Sequence, residues 1–331
     1  MGKRKAMLRS LAHDEAMMDH RRYTIDCDVV PRFTAAYLRV AKGECAFVET
    51  HTSHAVPRLL GELAARGLRP EQVRWIVVTH AHLDHAAGAG ALLAKCTNAT
   101  LLAHPRAARH LVDPSRLVAS ATRVYGSVRF AELYGQIDPI PQARVRSLED
   151  GASFELGDAR LSVHHTAGHA RHHFVIDDPA IETVYTGDAF GLVYPALQRG
   201  TRFALATTSP TDFDPTEARL SIDKILSLKE KAACLTHYDE IRDLEEVASQ
   251  LRGWIDRSQG WLEEATRTDE PLGAMTSGLM HKIRVAIGED ASRRGLALTK
   301  EDWDLLAFDI ELNAQGIAFV ADKNRRLAKS A

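Results

Sequence analysis

Short apolar runs of strand length alternate with stretches of helical period through about residue 245, after which only the helical period continues. The segment AAYLRVAKGECAFVET alternates apolar and polar positions around Lys42-Gly43, the pattern of a β-hairpin. Ser53 is placed to cap a helix whose one face carries Val56, Leu59, Leu60 and Leu63, with Gly67 as its stop. Trp75-Ile76-Val77-Val78-Thr79 reads as a short buried strand, AAGAGALLAKC as a helix and ATLLAH as another strand. Residues 105–147 are Arg-rich and helix-like, broken at Asp113-Pro114, and read as an insertion bordering the site. Strand runs return at 161–166, at 174–176 before an Asp177-Asp178-Pro179 turn, and at 183–186. Asp214-Pro215-Thr216-Glu217 then starts a helix with Ala218, Ile222 and Ile225 on its apolar face, leading to a strand at 232–236. Farther on, Val247, Leu251 and Trp254 keep helical spacing, and Thr299-Lys300-Glu301-Asp302 opens a helix striped by Trp303, Leu306, Ile310, Asn313, Ile317 and Val320. The organisation expected is a polar lead-in over 1–20, an α/β domain over 21–245 and an α-helical C-terminal extension over 246–331. The stripe of the extension has three uses open to it: capping a site, forming a homodimer interface, or extending the core.

Composition narrows the function classes. A chain of 331 residues with 45% hydrophobic and 26% charged positions can bury a proper core. A formal charge of -2 gives no broad electrostatic footprint for nucleic acid, so no nucleic-acid partner is expected. The four cysteines, Cys27, Cys45, Cys96 and Cys234, form no C-x-x-C pair and read as reduced thiols of a cytoplasmic protein. The N-terminal stretch lacks the apolar core of a signal peptide, and no later run reaches membrane-spanning length, so no membrane association is expected.

Histidine changes the picture. Of 16 histidines, three fall within 80–85 and five within 164–173, and such clustering points to metal. In Thr79-His80-Ala81-His82-Leu83-Asp84-His85 the i, i+2 spacing sends His80 and His82 the same way while the chain is extended. Asp84 and His85 fall where the next helix begins and project elsewhere, toward a second metal. Four strand runs end in or just before a candidate ligand, namely His80, His169, Asp188 and His237, which puts these groups along one sheet edge. Nitrogen and oxygen donors without cysteine suit zinc, with iron and manganese as alternatives. His172 and His173 are candidates for orienting a ligand, only one of His164 and His165 can face the metals, and His104 before Pro105 reads as structural.

These residues resemble the metallo-β-lactamase superfamily over about 24–240. Its H-x-H-x-D-H signature is matched by His80, His82, Asp84 and His85, its Thr-x-Gly-His turn by Thr166-Ala167-Gly168-His169, its Gly-Asp step by Gly187-Asp188, and its late histidine by His237. The resemblance implies a four-layer αββα sandwich holding two divalent ions. His80, His82 and His169 would hold one ion, Asp84, His85 and His237 the other, and Asp188 would bridge them. It implies a hydrolase in which hydroxide held by the ions attacks an ester, thioester or lactone of a small-molecule acyl substrate, with Asp84 as the catalytic proton carrier. His51, Phe190 and Tyr194, in loops beside the ligands, are the expected lining of a mainly apolar substrate cleft. The chain departs from family patterns at Glu49-Thr50-His51, where Asp-Thr-Gly is common. It departs again at Gly191, where acyl-homoserine lactonases carry tyrosine, and at Ala81, where glyoxalase II-like enzymes carry histidine. Length and helical tail resemble the quinolone-signal thioesterase branch, which implies as alternatives a regulatory or ligand-binding member with an occluded site, or a di-iron redox protein as elsewhere in the superfamily.

Overall fold

A computed structural model describes residues 20–27, 30–208 and 212–330. The lead-in expected over 1–20 lies outside them except for His20, which already opens a strand. Strands β1 (His20–Asp26), β2 (Ala35–Ala41) and β3 (Glu44–Val48) form an antiparallel meander. Lys42 and Gly43 turn its second hairpin with φ of 47° and 81°, the left-handed sense that matches strand twist and that glycine adopts without strain.

From β3 onward the pairing becomes parallel, so each return runs through helices. Helix α1 (Val56–Ala65) leads to β4 (Val73–Val77), and α2 (Leu83–Ala86) and α3 (Ala89–Lys95) lead to β5 (Thr100–Ala103). Ser53 does not cap α1: a 3-10 turn, Ser53–Ala55, precedes the helix, and the Ser53 hydroxyl instead donates to the Tyr134 carbonyl at 3.2 Å. Helices α4 (Pro105–Val112), α5 (Ser115–Tyr125) and α6 (Ser127–Tyr134) follow, as expected of the Arg-rich segment. The segment then ends not as a helix but as β6 (Val145–Ser147), paired parallel with β5 at Leu101↔Val145. A three-residue Val-Arg-Ser edge strand is too short and polar to show a period.

The second sheet has the order β12-β11-β10-β9-β8-β7. Its strands are β7 (Ser153–Leu156), β8 (Ala159–His165), β9 (Phe174–Asp178), β10 (Thr183–Gly187), β11 (Ala232–Leu235) and β12 (Glu240–Ile241). Asp177 and Asp178 belong to β9, and the turn expected there starts two residues later, at Pro179. Asp178 can be a buried strand residue because the Arg39 guanidinium meets both its oxygens, at 2.5 and 3.3 Å, with neither side chain exposed. Helix α7 (Pro215–Ser227) starts as its sequence demands, the Asp214 carboxylate accepting from the amides of Thr216 and Glu217 at 3.0 and 3.1 Å.

Two sheets with their helices give the αββα arrangement, and the helical extension consists of α8 (Leu244–Arg267), α9 (Leu272–Arg293) and α10 (Lys300–Ser330). The chain divides into two compact units, Met1–His165 with Phe174–Tyr185, and Thr166–His173 with Thr186–Ala331. In the first, Leu38, Phe47, Leu59, Ile76, Leu92 and Leu101 share one apolar core. In the second, α10 buries Leu306, Ile310, Ala314, Ile317, Ala318 and Ala321, while Trp303 and Val320 are half-buried. Polar groups fix its register: Asp302 takes both guanidinium nitrogens of Arg199 at 2.9 and 2.6 Å, and Asn313 accepts from the Thr208 amide at 2.5 Å. The stripe read from the sequence therefore lies in a core.

Leu306→Ala or Ile317→Ala is expected to cost about 2 to 5 kcal/mol, read as a lowered urea midpoint with an unchanged slope. A change under about 1 kcal/mol would contradict this packing. A second expectation concerns His104, whose Nδ1 accepts from the Arg106 amide at 3.0 Å and caps α4. Burial, followed by the neighbouring His165, lowers its pKa from 6.5 to about 4. The neutral ring is the one that folds, so this contribution is complete above pH 6.5 and is lost as pH falls toward 4. His104→Asn keeps a capping oxygen but cannot titrate, so its denaturation midpoint should fall less steeply across that window than the parent's.

Candidate metal centre

The first sheet delivers its chemistry at the end of β4. Past Val77 the chain bends at Thr79 and His80, is extended at His82 (φ -66°, ψ 149°) and becomes helical at Leu83. His80 and His82 stand side by side, with Nε2 of the first 2.9 Å from Nδ1 of the second. Helix α2 then turns Asp84 and His85 away from that direction. His85 is fully buried with its ring centroid 4.0 Å from that of His80, and its Nε2 lies 3.6 Å from Asp84 Oδ2. Asp84 alone stands out, its side chain 41% exposed. Burial, then the Asp84 charge, raises the phenol pKa of Tyr134 on α6. Tyr134 also touches the rings of Tyr125 and Phe130, so the Arg-rich segment does border this carboxylate.

The remaining groups come from loops at the ends of β8, β10 and β11. Gly168 holds φ 112°, and a Cβ there would sit 2.3 Å from the Ala218 amide nitrogen, so only glycine fits the turn that presents His169. Asp188 is buried with its oxygens directed to different histidines: Oδ2 lies 3.4 Å from His169 Nε2 and Oδ1 lies 3.6 Å from His237 Nε2. Such a carboxylate suits a bridging position. Thr207 donates to the Asp188 carbonyl at 3.2 Å, so at 2.9 Å from His169 Nδ1 its oxygen accepts, which puts the ring hydrogen on Nδ1 and the lone pair on Nε2. By the same logic His173 Nε2 accepts the Asp188 amide at 3.3 Å and Nδ1 donates to the Thr166 hydroxyl at 2.8 Å. His173 is thus the member of the 172–173 pair that orients a ligand. His165 points its Nε2 to the Leu148 carbonyl instead, 3.0 Å away, and His104 is the structural cap already described.

Within the first unit His80, His82 and His85 crowd together with Asp84 beside them, and within the second Asp188 stands between His169 and His237. Imidazole nitrogens and carboxylate oxygens, mostly buried and without thiolate, form a donor set that fits divalent first-row ions. The residues expected at the substrate cleft are all buried. His51 adopts φ 53° with its carbonyl accepting from the Gly88 amide at 2.8 Å. Phe190 is fully enclosed, and Tyr194 sets its ring 6.4 Å from His237, edge to face, while its hydroxyl donates to Asp309 at 3.1 Å. Sequence reasoning missed Thr207, Asp309 and the partners of Glu49. Each acts through a neighbour distant in sequence, and no spacing signals it.

A model of the metallo-beta-lactamase superfamily matches residues 29–237. The metallo-beta-lactamase fold-containing protein ST1585 of Sulfurisphaera tokodaii is 27% identical over 173 residues, which cover 50% of this chain and 61% of that relative's length. Among solved structures, the archaeal superfamily protein ST1585 from Sulfolobus tokodaii superposes with a TM-score of 0.62 at 19% identity, over 89% of this chain and 97% of that one. The family protein TTHA1429 from Thermus thermophilus does so with a TM-score of 0.59 at 20% identity, over 94% of each chain. At these identities the superpositions speak for the fold alone. The family match spans every strand-end ligand from His80 to His237, and the chain belongs to the metallo-beta-lactamase superfamily.

Proposed function

We propose that the protein is a dinuclear metal-dependent hydrolase of small acyl substrates, cleaving an ester, thioester or lactone. The observation that carries this reading is a pair of nitrogen- and oxygen-bearing clusters, His80, His82, Asp84 and His85 in one unit and His169, Asp188 and His237 in the other, with one accessible carboxylate among them. His80, His82 and His169 hold one ion, Asp84, His85 and His237 the second, and Asp188 both, with zinc the preferred metal and iron or manganese the alternatives. Bound divalent ions supply a Lewis acid and bring the pKa of water from about 15.7 toward 7.

The chain's own residues do the rest. Asp84 reaches solvent, so it can take a proton from attacking water and return it to the leaving oxygen or sulfur. The fixed tautomers of His169 and His173 keep the Asp188 carboxylate and backbone from moving during that exchange. Of the three residues expected to line the acyl side, His51 and Tyr194 are buried and Phe190 is fully enclosed, so none of them offers substrate an open surface. Tyr194 commits its hydroxyl proton to Asp309. A cytoplasmic setting accords with four buried cysteines, none in a disulfide. Among the described residues no helix is long and apolar enough to cross a membrane.

Elemental analysis of the purified, metal-supplemented protein should return close to two transition-metal ions per chain, and an ester, thioester and lactone panel should show turnover abolished by chelation. One ion or fewer after supplementation would reject the dinuclear reading. Asp188→Ala should lose metal outright. Asp84→Asn should retain most metal while turnover falls by about 10² to 10⁴, the range of general acid-base catalysis. Equal retention of metal and activity in both variants would reverse these assignments. Tyr194→Phe keeps the ring and removes only the hydroxyl given to Asp309, so it should leave metal content and the preference among acyl substrates unchanged while lowering the urea midpoint.

A further inference from the structure

Helix α10 is apolar on two sides. Its inner side buries Leu306, Ile310, Ala314 and Ile317, and on the opposite side Leu305, Leu312 and Phe319 recur every seven residues, with Phe308 three residues after the first of them. Leu305 and Leu312 are half-buried, whereas Phe308 and Phe319 are 41% and 42% exposed. Among the described residues no other Phe, Tyr or Trp is exposed. A spacing of three and four residues is the seam of a two-helix coil, and an apolar seam rimmed by charge is a surface built to be covered. Val30, Val128 and Leu220 stand out singly by contrast, which a soluble protein tolerates.

Charge along the helix indicates what covers it. The exposed ionic residues of the first half are Lys300, Glu301, Asp304 and Glu311, with Lys300 paired to Asp304, so this half is net acidic. Those of the second half are Lys323, Arg326 and Lys329, and the half-buried Asp322 and Arg325 pair with each other, so this half is net basic. A second α10 laid parallel would set acid on acid and base on base. Laid antiparallel, it sets each half on its opposite. The antiparallel register also closes on itself. With a twofold axis at the level between Asn313 and Ala314, Phe308 meets Phe319 of the second copy, Leu312 meets Gln315, and Glu301 meets Arg326, each contact being made twice. The seam from 301 to 326 is about 38 Å long at the rise of an α-helix. Each end of the helix thus carries what the other end needs, which is the mark of a surface that fits its own copy.

We propose that the outer face of α10 is a homodimer interface in which two copies pair antiparallel through residues 301–326. The helix so clamped is the one whose inner side holds Tyr194 through Asp309 and Thr208 through Asn313, so pairing braces both loops whatever chemistry the metal centre performs. Sedimentation equilibrium and light scattering on the full chain should give a dimer. Phe308→Glu should raise the dimer dissociation constant at least about 30-fold while leaving the far-UV circular dichroism unchanged. Glu301→Arg sets guanidinium against guanidinium at both ends of the seam and should weaken pairing about 10-fold, with Arg326→Glu added to it restoring the parental constant. Orientation is read by oxidation: a mixture of Phe308→Cys and Phe319→Cys chains should form a disulfide-linked dimer, and Phe308→Cys alone should not, because antiparallel copies hold position 308 about 16 Å from its equivalent. The four native cysteines are buried and give no background. A parent that is monomeric throughout, whether the face stays in water or takes a different protein, overturns the proposal. So does a dimer indifferent to Phe308→Glu, and so does a linked dimer of Phe308→Cys alone, which marks a parallel pair.

Discussion

A carboxylate taken out of water must be answered by donors or positive charge within hydrogen-bonding reach, and the loops of this protein are arranged around three that are. Asp178 is answered by Arg39, Glu49 by Thr79 and His85, and Asp188 by His169 and His237. Asp178 ties β9 to β2 at a point where two fully enclosed side chains leave no alternative pairing. Removing Arg39 would leave a buried charge uncompensated at a cost of about 3 to 5 kcal/mol. Glu49 and Asp188 are answered by imidazoles rather than guanidinium. That difference bears on chemistry, because Nε2 of His169 and of His237 stand beside the Asp188 oxygens as a mixed nitrogen and oxygen donor set suited to a cation.

The same arrangement separates two tasks. His80, His85, His169, Asp188 and His237 are enclosed, so their geometry is set by packing and by fixed tautomers. Asp84 is on the same short loop yet reaches solvent. The turn from extended chain to helix between His82 and Leu83 makes that separation possible within six residues, since it sends successive side chains in different directions. A proton carrier must exchange with water, whereas a ligand gains from being kept from it.

The candidate ligand positions could be picked out in the sequence because each follows a strand whose apolar run is visible, and because H-x-H before a helix has a geometric meaning. The parallel core strands were legible for the same reason, being enclosed on both faces and hence continuously apolar. Strands β1, β6, β7 and β12 were not: they are short or edge strands with polar residues, and pairing rather than composition makes them strands. Ser53 was misread as a cap because a 3-10 turn ahead of α1 freed its hydroxyl for Tyr134. The partners of the ligands were hidden for a different reason. Thr79 and Glu49 are 30 positions apart, Thr207 and His169 are 38, and a threonine or glutamate carries no local mark of which histidine it will meet.

The contacts of α10 bear on the order in which the site can be assembled. Asp309 receives the Tyr194 hydroxyl across 115 positions, and Asn313 holds the Thr208 backbone across 105. A ribosome delivers His80, His82, Asp84 and His85 early, on strands and helices that can pair as they emerge. The loops carrying Tyr194 and Thr207 wait for α10 before their native hydrogen bonds exist. The stretch 79–85 can thus be in place while the loops at Tyr194 and Thr208 still lack the hydrogen bonds that α10 supplies, so those two loops are among the last parts of the fold to be secured.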